Sequence, residues 1–148
     1  MGRRNFARLK CELKILITDD HEAVRKGVRF ILGTRDDLEV CGEASNGFEA
    51  IEKTIELHPD LIILDVTMPG MDGLAACKQI KSFQPEVPIL MFSQHDGGEI
   101  VLAARQAKAQ GFVTKSAASD VLLKAVDALL GGSTFFPNDA GERLSDSA

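Results

Sequence analysis

Leu61-Ile62-Ile63-Leu64-Asp65-Val66-Thr67-Met68-Pro69-Gly70-Met71-Asp72-Gly73 decides how the rest of the chain is read. Four large apolar residues in succession describe a strand buried on both faces, and the run stops at an acidic residue with a Pro-Gly turn beyond it. Asp65 is therefore predicted at the C-terminal end of a central strand. In open parallel α/β sheets that edge is where ligands bind, because loops leaving neighbouring strands open a crevice there. A lone Asp after a strand often does no more than shape the next turn. Whether Asp65 marks a site depends on what ends the other strands.

Toward the N-terminus, Lys14-Ile15-Leu16-Ile17-Thr18 reads as a buried strand followed by the polar run Asp19-Asp20-His21-Glu22. A helix follows with Val24, Val28, Ile31 and Leu32 on one face and Gly33 as its stop. Leu38 to Ala44 is a second strand, and Phe48, Ile51 and Ile55 mark the inner face of a helix that ends before Pro59. Beyond the Leu61 to Leu64 strand, Asp72 is placed to cap a helix whose inner face is Leu74, Cys77 and Ile80. Pro85 to Pro88 interrupts the chain, and Ile89 to Phe92 forms a fourth strand ending in Ser93. Gly97-Gly98 opens an Ala-rich helix running from Glu99 to about Ala109. Gly111-Phe112-Val113-Thr114 is a short fifth strand ending in Lys115, and a last helix, Ser119 to Leu130, stops at Gly131-Gly132.

Five repetitions of strand and helix imply right-handed crossovers and one parallel sheet covered on both faces. The fold class is α/β, a doubly wound, flavodoxin-like five-stranded sheet of order 2-1-3-4-5 with five flanking helices. In that topology strands one and three flank the switch point. Asp19, Asp20 and Asp65 should then converge on one crevice, with Ser93 and Lys115 on its far side. Crowded carboxylates repel, and at neutral pH a proton or a cation must relieve that repulsion. Mg²⁺ suits them, since it takes a few carboxylate oxygens, a carbonyl and several waters. Such an ion and the Lys115 ammonium could neutralise a transferring phosphoryl group attacked in line by Asp65, with the Ser93 hydroxyl bonding a phosphoryl oxygen afterwards.

Composition narrows the alternatives. The 148 residues, 45% hydrophobic and 26% charged, suit one globular domain, and a net charge of −5 leaves no overall electrostatic footprint for nucleic acid. No apolar run reaches membrane-spanning length and no signal-peptide core is present, so a cytoplasmic protein is expected. Cys11, Cys41 and Cys77 lack metal-ligand or redox spacing and read as reduced apolar fillers. Residues 1–12 form a basic arm carrying Arg3, Arg4, Arg8 and Lys10, read chiefly as a solvated terminus. His21, His58 and His95 read as solvated loop or helix-end residues.

Lys14 to Asp20, Leu61 to Gly73, Ser93 and Gly111 to Lys115 together resemble the receiver domain of two-component response regulators, over about residues 13–132. The resemblance implies Asp65 as phospho-acceptor, with Asp20 and Asp65 as direct Mg²⁺ ligands, Asp19 acting through water and the Thr67 carbonyl as third protein ligand. It implies Ser93 as the switch hydroxyl, Phe112 as the switch aromatic and Lys115 as the phosphate-binding lysine. Gln94 and His95 are candidates for tuning dephosphorylation. The expected donor is a sensor histidine kinase, and the expected output is a remodelled face built from the fourth helix, fifth strand and fifth helix. Phosphorylation-driven homodimerisation is a further expectation.

Phe112 stands where the family often has Tyr, and Lys108 where related chains commonly have Gly at the end of the fourth helix. Lys115-Ser116-Ala117-Ala118 and Gly131 to Pro137 look most like receivers preceding a LuxR-type helix-turn-helix. Residues 133–148 then read as a tail or the start of a linker, and the chain as part of a transcription regulator. DNA binding is not expected of these residues themselves. The alternatives are a stand-alone receiver that acts by docking, and a Mg²⁺-dependent aspartyl-phosphate phosphatase. A haloacid-dehalogenase-like phosphatase carries a second Asp two residues after the nucleophile, where this chain has Thr67. A nucleotide-binding module would need a GxxxxGK[ST] or GxGxxG loop, and neither occurs.

Overall fold

The computed structural model describes residues 12–137. Strands β1 (Leu13–Thr18), β2 (Leu38–Ala44), β3 (Leu61–Asp65), β4 (Ile89–Ser93) and β5 (Gly111–Thr114) form one parallel sheet in the order β2-β1-β3-β4-β5. Five helices alternate with them: α1 (Glu22–Leu32), α2 (Gly47–Leu57), α3 (Gly73–Phe83), α4 (Gly98–Gln106) and α5 (Ser119–Leu130). This is the doubly wound arrangement expected from the alternation of strand and helix signals.

Side chains of successive strand residues point to opposite faces, so the sheet divides the core in two. Ile15, Ile17, Leu61, Ile63 and Leu90 pack with Val28 and Leu32 of α1 and with Leu122, Val126 and Leu129 of α5. Leu16, Ile62, Leu64, Ile89 and Met91 pack with Ala50 of α2, Cys77 and Ile80 of α3, and Val101 and Ala104 of α4. Every residue of β3 is buried, as its unbroken apolar run requires. At about 1.5–3 kcal/mol for each buried Leu or Ile, this central strand anchors both half-cores. Cys77 is one of the apolar fillers, and burial pushes its thiol up to about 12.

Two expectations are corrected. Phe48 and Ile55 do not form the inner face of α2; they are 58% and 54% exposed. The buried stripe is Gly47, Ala50 and Thr54, with Ile51 at its margin. The reason is crowding: a Cβ on Gly47 would lie 2.8 Å from the Met71 carbonyl oxygen, so only small residues fit there. Thr54 is tolerated at 0% exposure because its hydroxyl donates to the Ala50 carbonyl at 2.7 Å.

The fourth helix ends at Gln106, short of the expected Ala109. Lys108 adopts φ +75°, while the Ala109 N–H reaches back to the Ala104 carbonyl at 3.0 Å, a Schellman-type stop with lysine where glycine is usual. At the end of α5 the same motif carries Gly132, at φ +92°. A left-handed L-residue costs roughly 1–2 kcal/mol. Lys108→Gly is therefore expected to stabilise the protein by about 1 kcal/mol, read as a higher urea midpoint. A lowered midpoint would show that the lysine is not strained.

The stretch read as the opening of a tail begins by returning to the sheet. The Phe112 N–H donates to the Phe135 carbonyl at 2.8 Å and the Phe135 N–H to the Gln110 carbonyl at 3.0 Å, covering the outer edge of β5. Phe136 is 4% exposed within the core, under the Arg105 guanidinium at 4.0 Å from its ring centroid. Residues 138–148, and all of the basic arm except Glu12, lie outside the described residues. Among the described residues no helix is long and apolar enough to cross a membrane.

Candidate functional site

β1 and β3 are neighbours, yet α1 and α3 leave them toward opposite faces of the sheet, and the separation opens a crevice at the C-terminal edge. Asp19 and Asp20 follow β1, Asp65 ends β3, Ser93 ends β4 and Lys115 follows β5. A cavity of about 160 Å³ there is lined by Asp20, His21, Asp65, Gln94, His95 and Lys115, among others. A larger apolar groove of about 560 Å³ lies between β5, the start of α5 and residues 134–137, away from the carboxylates.

Lys115 joins the two walls. Its Nζ is 2.6 Å from Asp19 Oδ2 and 3.2 Å from Asp65 Oδ1, and its backbone N–H donates to the Ser93 carbonyl at 2.8 Å. Asp65 Oδ1 also accepts from the Thr67 N–H at 3.3 Å. Asp19 is 1% exposed and Asp65 3%. Burial, reinforced by the Asp19 charge and only partly offset by Lys115, pushes the Asp65 carboxyl up to about 6. Ser93 is buried with its Oγ accepting the His95 N–H at 3.0 Å. Phe112 is fully buried and lines the larger groove, not the acidic cavity.

Donor atoms from Asp19, Asp20, His21 and Asp65 all lie within 4.8 Å of one another. Asp20 Oδ1 is buried with no hydrogen-bond donor. An oxygen-rich set with an unsatisfied buried carboxylate oxygen fits a hard divalent cation such as Mg²⁺.

Three contributors to the site carry little sequence signal. Arg25 of α1 donates from Nη1 to the Asp19 carbonyl at 2.6 Å and from Nε to Glu43 Oε1 at 2.8 Å, with Arg29 on the other Glu43 oxygen. This network braces the acidic loop against β2 across 18 residues of chain. The Gly73 N–H donates to the Val66 carbonyl at 2.7 Å, and the absent side chain lets α3 start directly against the Asp65 backbone. His21, read as a solvated residue, is 63% exposed yet sets its ring against Asp19 and Asp20.

The sequence model described as response regulator receiver domain matches residues 15–127. YhcZ of Bacillus subtilis (strain 168), an uncharacterized transcriptional regulatory protein, is 41% identical over 112 residues, which is 76% of this chain and 52% of the relative. The response regulator protein VraR of Staphylococcus aureus is 38% identical over 124 residues, 84% of this chain and 59% of the relative. The chain thus spans little more than half the length of these relatives. A crystal structure of a LuxR-family two-component response regulator from Aurantimonas sp. SI85-9A1 superposes with a TM-score of 0.83 at 33% identity, covering 90% of this chain and 96% of that one.

Proposed function

The chain belongs to the receiver-domain family of two-component response regulators, and from that premise we propose that it is a phosphorylation-operated switch with Asp65 as the phospho-acceptor. The observation that carries this reading is Lys115 bridging Asp19 and Asp65 beside Asp20, which joins a buried nucleophile, a cation and a surplus of acid in one crevice. A sensor histidine kinase is the donor. An Asp65 oxygen attacks the phosphorus of a phosphohistidine; the new O–P bond forms as the P–N bond breaks, and the imidazole leaves with the electron pair and takes up a proton.

Asp20, Asp65 and the Thr67 carbonyl would hold Mg²⁺, with Asp19 acting through water, and the bound ion supplies positive charge against the phosphoryl oxygens. Lys115 exchanges its carboxylate partner for a phosphoryl oxygen, and the Ser93 hydroxyl turns from the His95 N–H to donate to another. The phosphoryl group places about 1.5 to 2 negative charges where the carboxylate carried one, and this draws Ser93 and Lys115 inward. Phe112 transmits that shift to the face of α4, β5 and α5. Gln94 and His95, at the cavity mouth, govern the access of water to the acyl phosphate.

The switch spans residues 13–132 together with residues 133–137, which pack back on β5, and belongs to a longer cytoplasmic transcription regulator whose output is DNA binding by a further domain. The relatives named as transcriptional regulators support this output. Phosphorylated chains would associate as homodimers.

Incubation with acetyl phosphate, followed by intact mass, tests the reading. One phosphoryl group should appear only with Mg²⁺ present. A folded, cation-binding chain that gains none is no acceptor. Following the decay of that mass in Gln94→Ala and His95→Ala tests the tuning role, and lifetimes equal to the parent's would remove it.

A further inference from the structure

His21 occupies the N-cap of α1, a position where Ser, Thr, Asp or Asn normally accepts a backbone N–H and contributes about 1 kcal/mol. Its side chain makes no such bond. Instead the extended backbone, at φ −106° and ψ 118°, and a 2.9 Å bond from the His21 N–H to Asp19 Oδ1 turn the ring toward the acidic crevice. There Nδ1 stands 3.3 Å from Asp19 Oδ1 and 3.3 Å from Asp20 Oδ1. The other described histidines differ: His58 Nδ1 lies 3.4 Å from Gln84 Nε2, and the bond His95 makes to Ser93 uses its backbone N–H.

A ring nitrogen 3.3 Å from Asp20 Oδ1, the oxygen of a direct carboxylate ligand, has the spacing of adjacent ligands on one ion. Donors about 2.1 Å from a common metal at right angles stand about 3 Å apart. Nδ1 is within hydrogen-bond distance of Asp19 Oδ1, whereas Asp20 Oδ1, equally close to it, carries no hydrogen bond of its own. A neutral imidazole would direct its Nδ1 lone pair into the crevice and leave Nε2–H to solvent, consistent with a side chain 63% exposed. Imidazole favours borderline transition ions, whereas Mg²⁺ prefers oxygen.

We propose that His21 Nδ1 is a further ligand of the divalent-cation site and tilts it toward Co²⁺ and Zn²⁺ relative to an all-oxygen site. This rests on the reading of the acidic crevice as a divalent-cation site. The switch is then sensitive to transition-ion supply, because the ion that occupies the crevice sets the coordination geometry facing the phosphoryl group.

The chain has no Trp or Tyr to report binding, so a paramagnetic probe is the direct one. Mn²⁺ titration followed by electron paramagnetic resonance measures affinity, and spin-echo modulation of the bound Mn²⁺ detects a coordinated ¹⁴N. The parent and His95→Ala should show imidazole modulation, and His21→Ala should not. Co²⁺ affinity should fall about tenfold or more in His21→Ala, at least the loss seen when a supporting partner of a metal ligand is removed. Mg²⁺ affinity, measured calorimetrically, should change by far less. Bound Mn²⁺ without nitrogen modulation in the parent, or equal losses of Mg²⁺ and Co²⁺ affinity in His21→Ala, overturns the role of His21 and leaves the acidic site standing. Mn²⁺ binding as tight in Asp20→Ala as in the parent overturns the acidic site itself, and the proposal with it.

Discussion

Asp65→Asn is expected to take no phosphoryl group and, in EDTA at neutral pH, to unfold at a higher urea concentration than the parent. The first effect is chemical: an amide oxygen is too weak a nucleophile to displace the donor, and the loss should be complete. The second follows from the buried charge. The Asp65 carboxyl is raised from an ordinary value of 3.8 to about 6 by burial first and by Asp19 second, so the folded state favours its neutral form. Its favourable contribution is fully present below the unfolded value of 3.8 and is lost as pH rises through about 6. Above that, the carboxylate opposes folding by about 3 kcal/mol, since a tenfold change in proton affinity corresponds to roughly 1.4 kcal/mol. Asparagine removes the cost. The advantage should shrink as pH falls below about 6 and when Mg²⁺ is added to the parent. Labelling that persists in Asp65→Asn would place the acceptor elsewhere, and a variant less stable than the parent in EDTA at neutral pH would contradict the burial argument.

Gly73→Ala should be the most damaging single-methyl change near the site. A Cβ at this position would lie 1.9 Å from the Asp65 carbonyl oxygen, 2.8 Å from its carbonyl carbon and 3.0 Å from Val66 Cα. All three are backbone atoms at the end of the central strand, so no rotamer change relieves the clash. Either α3 withdraws, breaking the 2.7 Å bond from the Gly73 N–H to the Val66 carbonyl, or the end of β3 shifts and carries Asp65 away from Lys115. We expect a loss of about 3 kcal/mol or more, at the upper end for overpacking. Urea unfolding reads the stability, and acetyl phosphate labelling reads the position of Asp65 in whatever fraction folds. A midpoint and labelling rate equal to the parent's would show that α3 can back away without cost. Gly97→Ala is the control, because nothing lies within 4 Å of a Cβ there.

The order of amino acids by itself determined the architecture and where the candidate site residues lie in it. The apolar run Leu61 to Leu64 could be satisfied only by burial on both faces, and alternation with amphipathic helices left a parallel sheet as the economical answer. With strand order settled by topology, Asp19, Asp20, Asp65, Ser93 and Lys115 had to meet at one edge, because each ends or follows a strand. Asp72 was likewise readable as a cap, and its Oδ1 accepts the Ala75 N–H at 2.8 Å.

Tertiary structure alone decided which stripe of α2 faces inward. Phe48, Ile51 and Ile55 and the buried set Gly47, Ala50 and Thr54 are helical stripes one residue apart. Hydrophobicity favours the first; the crowding of Met71 against Gly47 imposes the second. The same holds for the Arg25–Glu43 brace, the turning of His21 toward the carboxylates, the left-handed Lys108 and the return of Phe135 to the edge of β5. Local patterning records what a segment prefers by itself. These features depend on how closely two distant backbones approach, and that distance exists only once the sheet has formed.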